Sequence, residues 1–315
     1  MRPLEPSALG ATLYVPATRT DLTAVLLDGR VADLRSAVLC LEDGILPEHT
    51  PAALFQLSRF LRDLARRGEG ARPALFVRPR SPEMLAHVLR LPGADRLDGV
   101  VAPKCTAETL PAWLDALAGT RLRLMPTLET REAFDPIALR AFRVGVLNAG
   151  ERVLLVRIGG NDLLQLLGVR RMSGRTAYEG PLGAAISQIV CTLAPWGVPL
   201  SAPVMDDFSD PDLLRREAEQ DLGFGLVTKT AIHPRQVAVI QAVYGVAAGE
   251  LNAAEAVAAT DAPAVFAQNG ALAEPATHRR WARGVLARAA AFGVRGRVEA
   301  RPGIEPGCKD LQSSA

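Results

Sequence analysis

The chain has 315 residues, 49% of them hydrophobic and 22% charged, with 36 Lys+Arg against 34 Asp+Glu for a formal net charge of +2. This excludes a wholly disordered chain, a collagen-like repeat and a disulfide scaffold, and so small a charge gives no electrostatic ground for nucleic acid as a partner. Cys40, Cys105, Cys191 and Cys308 are scattered, with no CxxC and no Cys/His cluster, which argues against a zinc site and fits a reducing compartment. With no 18-residue apolar run and no basic-then-apolar start, the expectation is a cytoplasmic protein without a membrane partner.

Through the first part of the chain, short β-rich apolar runs alternate with stretches of helical spacing. The runs Ala11–Val15, Ala37–Leu41, Ala74–Val77, Gly99–Val101, Arg123–Thr127, Val153–Ile158, Val198–Leu200 and Leu226–Thr228 read as strands. Between them, helices are expected near Asp21–Leu27, Pro51–Arg67, Pro82–Leu91, Ala107–Leu117, Thr130–Ala141, Tyr178–Ala194 and Asp210–Asp221. Such repeated β/α units predict a closed (β/α)8 TIM barrel rather than an open doubly wound sheet, and no G-x-G-x-x-G follows the first strand. After Pro234 the strand pattern stops, and helices are expected at Pro234–Tyr244, Ala253–Asn269 and Pro275–Gly293. The resulting division is a catalytic barrel over 1–233, a helical extension over 234–294 and a disordered tail over 295–315.

A barrel carries its chemistry at the C-terminal ends of its strands. Polar residues expected there are Glu42 and Asp43, Arg78, Lys104, Glu129, Asn161 and Asp162, Asp206 and Asp207, and Lys229 with His233 beyond it. Glu129 and Asp162 can form a Mg²⁺ pair, since that ion takes one or two carboxylates plus water or substrate oxygens. The plain alternative is that both serve helix starts. Arg78 can clamp a substrate carboxylate, or be buried in an ion pair with Glu42 or Asp43. Lys104 can neutralise developing charge or pair with a rim acid. Gly159 and Gly160 permit close backbone approach to a ligand, or a tight turn. His233 can cap the next helix or orient a rim carboxylate. No G-x-S-x-G elbow is present, and no cysteine has a base near it in sequence.

In this order the strand-end segments are specific. They are Leu13-Tyr14-Val15-Pro16-Ala17, Leu41-Glu42-Asp43-Gly44, Val77-Arg78, Ala102-Pro103-Lys104, Leu128-Glu129-Thr130, Gly159-Gly160-Asn161-Asp162-Leu163 and Lys229-Thr230-Ala231-Ile232-His233-Pro234-Arg235-Gln236. Over about Leu13 to Gly293 the chain resembles the HpcH/HpaI aldolase and citrate lyase β-subunit family, within it a divergent branch associated with bacterial stress and tellurium-resistance gene clusters. The resemblance implies a TIM barrel in which Glu129 and Asp162 hold Mg²⁺, with Mn²⁺ also acceptable. It implies that Arg78 binds a substrate carboxylate, that Gly160 and Asn161 line the substrate, and that Glu42 and Asp43 stand behind the metal. It also implies a small carboxylate or acyl-CoA substrate, enolate stabilisation and a homo-oligomer, trimer or hexamer. Longer members carry Gly-x-Met-hydrophobic-Asp-x-Pro, whose Asp acts across a subunit boundary. Here Glu274 takes that place in Asn269-Gly270-Ala271-Leu272-Ala273-Glu274-Pro275, and is expected to act with Arg78 and Lys104 in catalysis. Pro79 stands where the family has Asn after the arginine, and Pro203-Val204-Met205-Asp206-Asp207 replaces a glycine-rich segment. Three functions follow: a Mg²⁺-dependent carbon–carbon lyase or aldolase on a hydroxy or keto acid, a thioester hydrolase or synthase on the same site, and a non-catalytic binding barrel.

Overall fold

The computed structural model describes residues 4–68, 70–268 and 270–295. Eight parallel strands close on themselves in sequence order: β1 (Ala11–Pro16), β2 (Ser36–Cys40), β3 (Ala74–Arg78), β4 (Gly99–Ala102), β5 (Arg123–Leu128), β6 (Val156–Ile158), β7 (Leu200–Ala202) and β8 (Thr228–Ala231). β8 returns to β1 with Ala11 opposite Lys229 and Thr12 opposite Thr230. The expected TIM barrel is therefore the fold.

The outer ring consists of α1 (Leu22–Leu26), α2 (Thr50–Arg66), α3 (Pro82–Leu89), α4 (Leu110–Ala116), α5 (Pro136–Ala149), α6 (Gly160–Leu166), α7 (Pro181–Leu193), α8 (Pro211–Gly223) and α9 (Pro234–Tyr244). Proline occupies the first turn of α2, α3, α5, α8 and α9, where its missing N–H has no partner to lose. Ser81, Asp135 and Asp210 accept from the backbone amides of Met84, Ile137 and Leu213, so the junctions are capped by side chains.

Alternation along each strand sorts side chains between two cores. Leu13, Val15, Val77, Val156 and Ile158 point outward and pack against the helices. Leu9, Val38, Phe76, Val101, Met125 and Leu155 fill the barrel floor. Toward the N-terminal end of this floor the Ser36 hydroxyl donates to Leu9 O (2.9 Å) and lies 3.0 Å from Thr12 Oγ1, so these two buried hydroxyls have partners.

Four expectations need correction. β7 and β8 are set two residues later than the apolar runs, and in β8 the polar Lys229 and Thr230 lie in the ladder. The stretch Thr130–Ala141 is a 3₁₀ turn, Arg131–Phe134, followed by α5. Asp135 before Pro136 is held extended at φ −99°, ψ 115°, which breaks the helix there. The helix α6 was missed, since Gly159-Gly160 reads as a turn.

Strands also do not stop after Pro234. β9 (Val246–Ala247) precedes α10 (Ala248–Ala258), which starts and ends earlier than the helix expected over Ala253–Asn269, and β10 (Phe266–Gln268), inside that expected helix, forms a hairpin with β11 (Ala271–Ala273). Then come α11 (Pro275–Phe292) and β12 (Val294–Arg295), which pairs with β9. The tail expected over 295–315 lies outside the described residues except Arg295. No described helix is long and apolar enough to cross a membrane.

Candidate active site

The rim at the strand C-termini gathers most of the expected charges. Arg78 ends β3, its Nη2 3.1 Å from Glu42 Oε2 and 3.2 Å from Cys40 Sγ. Its guanidinium carbon sits 5.2 Å from the centre of the Tyr14 ring, and its buried Nε has no hydrogen-bond partner. The ion pair with Glu42 therefore exists, and one donor is still left over.

Lys104 is at the centre of the rim. It follows β4 in a left-handed conformation, φ 47°, which a non-glycine residue adopts only under constraint. The constraint is visible. Its amide donates to Glu129 Oε1 at 2.7 Å, and its Nζ reaches Glu42 at 2.6 Å, Asp43 at 3.1 Å and Asp162 at 3.7 Å. Burial works against the ammonium, but Glu42 and Asp43 hold its pKa above the ordinary lysine value.

Glu129 follows β5 and is 4% exposed. Burial first, and then the Asp162 carboxylate, push its carboxyl up to about 7. Burial also raises the Asp162 carboxyl, against the pull of Lys104. Gly159 makes this packing possible. A Cβ there would lie 2.2 Å from Glu129 Oε2 and 2.4 Å from Glu129 Cβ. Gly160, the first residue of α6, is pinned for another reason, since its Cβ would meet Pro203 Cβ at 2.8 Å. Asn161 is exposed on the first turn of α6, beside a cavity of about 430 Å³ that Gly168, Arg170, Arg171 and Asp206 also line.

Two neighbouring carboxyls whose surroundings both raise their affinity for protons, Glu129 through burial and Asp162, and Asp162 through burial with Asp43 and Glu42, form a site that a divalent cation suits better than protons do. Among the described residues no cluster of three or more His, Cys, Asp or Glu could hold a metal ion.

Other expected residues go elsewhere. Lys229 is not on the rim. It lies within β8, fully buried outside the barrel, with Nζ 2.9 Å from Glu217, 2.8 Å from Asp221 and 3.1 Å from Pro203 O. Arg171 pairs with Glu217 from the other side, 2.5 Å away, and approaches Asp206 at 3.4 Å. Asp207 accepts from Ser209. His233 is a helix cap: its Nδ1 accepts from the Arg235 amide, Gln236 Oε1 accepts from Ile232 and His233, and the ring stacks on Phe208 at 4.7 Å.

Glu274 starts α11. Its amide donates to His278 Nδ1 (3.0 Å) and its carboxylate accepts from Thr277 (3.2 Å). Downstream, Arg280 donates to Ala194 O, just ahead of β7, and α11 packs on the 3₁₀ turn Pro6–Ala8 ahead of β1. The helix body thus lies toward the N-terminal end of the barrel, away from Arg78.

The sequence reading missed Tyr14 and Arg157. Both lie in alternating strands between outward residues, Leu13 and Val15 for one, Val156 and Ile158 for the other. That alternation was the signal that could have found them. A cavity of about 710 Å³, larger than the one beside Asn161, opens at the opposite end among Leu9, Leu34, Arg72 and Arg121. That end of a barrel serves stability, so the rim charges locate the site better than cavity size does.

The family described as C–C bond lyase of the TIM-barrel fold matches residues 3–294. The chain is 30% identical to a citrate lyase subunit beta-like protein of Deinococcus radiodurans, over 84% of this chain and 89% of that protein. It is 32% identical to a (3S)-malyl-CoA thioesterase of Cereibacter sphaeroides over 53% of this chain, and the match spans only 59% of that relative's length. CitE from Mycobacterium tuberculosis, solved with magnesium, acetoacetate and coenzyme A, superposes with a TM-score of 0.68 at 24% identity, covering 90% of this chain and 99% of that one. With the match running through barrel and extension alike, the chain belongs to the C–C bond lyase family of the TIM-barrel fold.

Proposed function

We propose that the protein is a Mg²⁺-dependent carbon–carbon lyase or aldolase acting on a hydroxy or keto acid. The observation that carries this reading is the pair Glu129 and Asp162, both driven toward protonation, beside the cations Arg78 and Lys104. Glu129 and Asp162 would hold the ion, and Mn²⁺ suits the same oxygens. When bound, it supplies Lewis acidity toward a substrate carbonyl or hydroxyl oxygen.

The chain's own residues do the rest. Arg78, held by Glu42 and Cys40, presents a guanidinium to a substrate carboxylate. Lys104 keeps its proton and offers a compact positive charge next to Asp162, where negative charge develops as the bond breaks. Asp43 and Glu42 keep Lys104 in place. Asn161 borders the cavity into which the rest of the substrate extends, next to Gly160 at the start of α6, and Arg170 on its wall suits an anionic tail such as that of an acyl-CoA. Glu274 faces its own helix within one chain, so its part in proton transfer requires a second copy. A homo-oligomer, trimer or hexamer, is part of this proposal.

Calorimetric titration of Mg²⁺ with and without pyruvate, beside Asp162→Asn, tests the reading. Saturable binding, tightened by the keto acid and abolished in the variant, is expected. Wild-type protein that binds neither would leave only a binding barrel. Thioester hydrolysis is the second reading, favoured by the likeness to a malyl-CoA thioesterase. Product analysis separates the two: a lyase releases two carbon fragments, a hydrolase an intact acid and a free thiol.

A further inference from the structure

Arg157 is a buried cation with no carboxylate partner among the described residues. It is 1% exposed. Its Nη2 donates to Thr230 Oγ1 at 2.7 Å, its Nη1 faces Met125 Sδ at 3.8 Å, and its guanidinium carbon is 5.3 Å from the centre of the Tyr14 ring. All three neighbours are neutral. The other deeply placed cations differ: Arg78 pairs with Glu42, Arg171 with Glu217, and Lys229 with Glu217 and Asp221. Burying a charge without a counter-ion is costly, and an apolar side chain of similar volume would pack there more cheaply.

Its position explains what the charge can do. Arg157 lies on β6, opposite Thr127 of β5 and Ser201 of β7, and points into the barrel because Val156 and Ile158 point out. Tyr14 carries Arg157 and Arg78 within 5.3 Å of its ring centre, and it is only partly buried, so the ring forms the floor between Arg157 and the open site. At the rim, Arg78 and Lys104 face Glu42, Asp43, Glu129 and Asp162. A divalent ion would bring those six groups to neutrality. Arg157 then leaves one surplus positive charge under the substrate.

Resting on the metal-and-carboxylate reading of the site, we propose that Arg157 is a positioning and specificity-determining residue that acts through the Tyr14 floor and makes the loaded site favour dianionic over monoanionic acids. The physical signature is distinctive. A fixed charge attracts a ligand in proportion to the ligand's own charge, so removing it weakens a dianion by the square of the factor lost by a monoanion.

The test uses the full chain, with Arg157→Met to remove the charge at similar volume and Arg157→Lys to restore it. Acetate and malonate are titrated calorimetrically at fixed Mg²⁺ and ionic strength, with Mg²⁺ binding and the melting temperature measured alongside. In Arg157→Met, acetate should weaken about tenfold and malonate about a hundredfold. Mg²⁺ binding should be unchanged or tighter, and melting should occur at or above the wild-type temperature. Arg157→Lys should recover most of both anion affinities. Equal losses for the two anions, or none, would overturn the proposal while leaving the site reading intact. Loss of Mg²⁺ binding together with the fold would assign Arg157 to structure alone. A wild-type protein that binds neither Mg²⁺ nor either anion would overturn the site reading itself, and this charge count with it.

Discussion

Glu129 couples the proton to the cation at the rim. Its carboxyl stands at about 7 in the folded protein, against an ordinary 4.5. Between those pH values the native state holds a proton that the unfolded chain has lost, so the stability of metal-free protein falls as pH rises through that window, by something of order 3 kcal/mol. Thermal melts in EDTA should decline from pH 4.5 to 7, and saturating Mg²⁺ should flatten the curve by displacing the proton. By the same linkage, Mg²⁺ affinity should drop about tenfold for each pH unit below 7, which calorimetry at several pH values would register. Gly159→Ala is a second residue-scale test. The new methyl would collide with Glu129 at 2.2 Å, so a stability loss of about 1–3 kcal/mol and weakened Mg²⁺ binding are expected together. Of this site, Arg78, Lys104, Glu129 and Asp162 were legible from chain order because each sits just where a strand ends. The 2.7 Å bond from the Lys104 amide to Glu129 was not, since it joins residues 25 positions apart.

Two elements are tied by groups that an apolar reading of the sequence obscures. Lys229 clamps β8 to α8 through Glu217 and Asp221, with Arg171 and the Tyr178 hydroxyl completing the network. Burial opposes ionisation of Glu217, yet Lys229 and Arg171 hold its carboxyl down to about 2. That pairing is therefore in force above the ordinary carboxylate range and is lost only as pH falls toward 2. Lys229→Met would leave the buried Asp221 without its cation and Glu217 with Arg171 alone, a loss of about 3–5 kcal/mol readable in urea unfolding. At the next junction His233 caps α9, and His233→Ala should cost about 1 kcal/mol with little effect on Mg²⁺ binding. The sequence placed Lys229 and His233 side by side near a strand end, but strand alternation sends Lys229 outward, and the proline that follows His233 makes it a cap.

At the scale of the molecule there are two packed units. The layer between strands and helices is one continuous core, whereas Val246, Ala254, Val257, Ala273, Ala282 and Val285 form a separate small cluster in the extension. A small apolar core sustains less protection than a large one. Hydrogen exchange should therefore show amides of α10 and α11 opening at lower free energy than those of β1–β5. Uniform protection across both would show that the extension is locked to the barrel. The C-terminal helices Pro234–Tyr244 and Pro275–Gly293 were read from the sequence within a residue or so. The β10 strand falls inside the stretch expected to be helix, because the alanine-rich run ahead of it suits a helix and its own pairing with β11 is a contact that helical spacing does not reveal.

What the sequence determined by itself was the order of β/α units, hence the barrel, and the rim charges that its strand ends carry. Those are local properties, set by periodicity and by where prolines and glycines end each element. What the tertiary structure alone decided was which of these charges meet. It brought Lys104 among four carboxylates, put Lys229 behind the wall, kept α11 toward the far end of the barrel and set Arg157 beneath Tyr14. Those pairings depend on side-chain direction and on contacts between distant segments, which closure of the barrel creates and no local pattern contains.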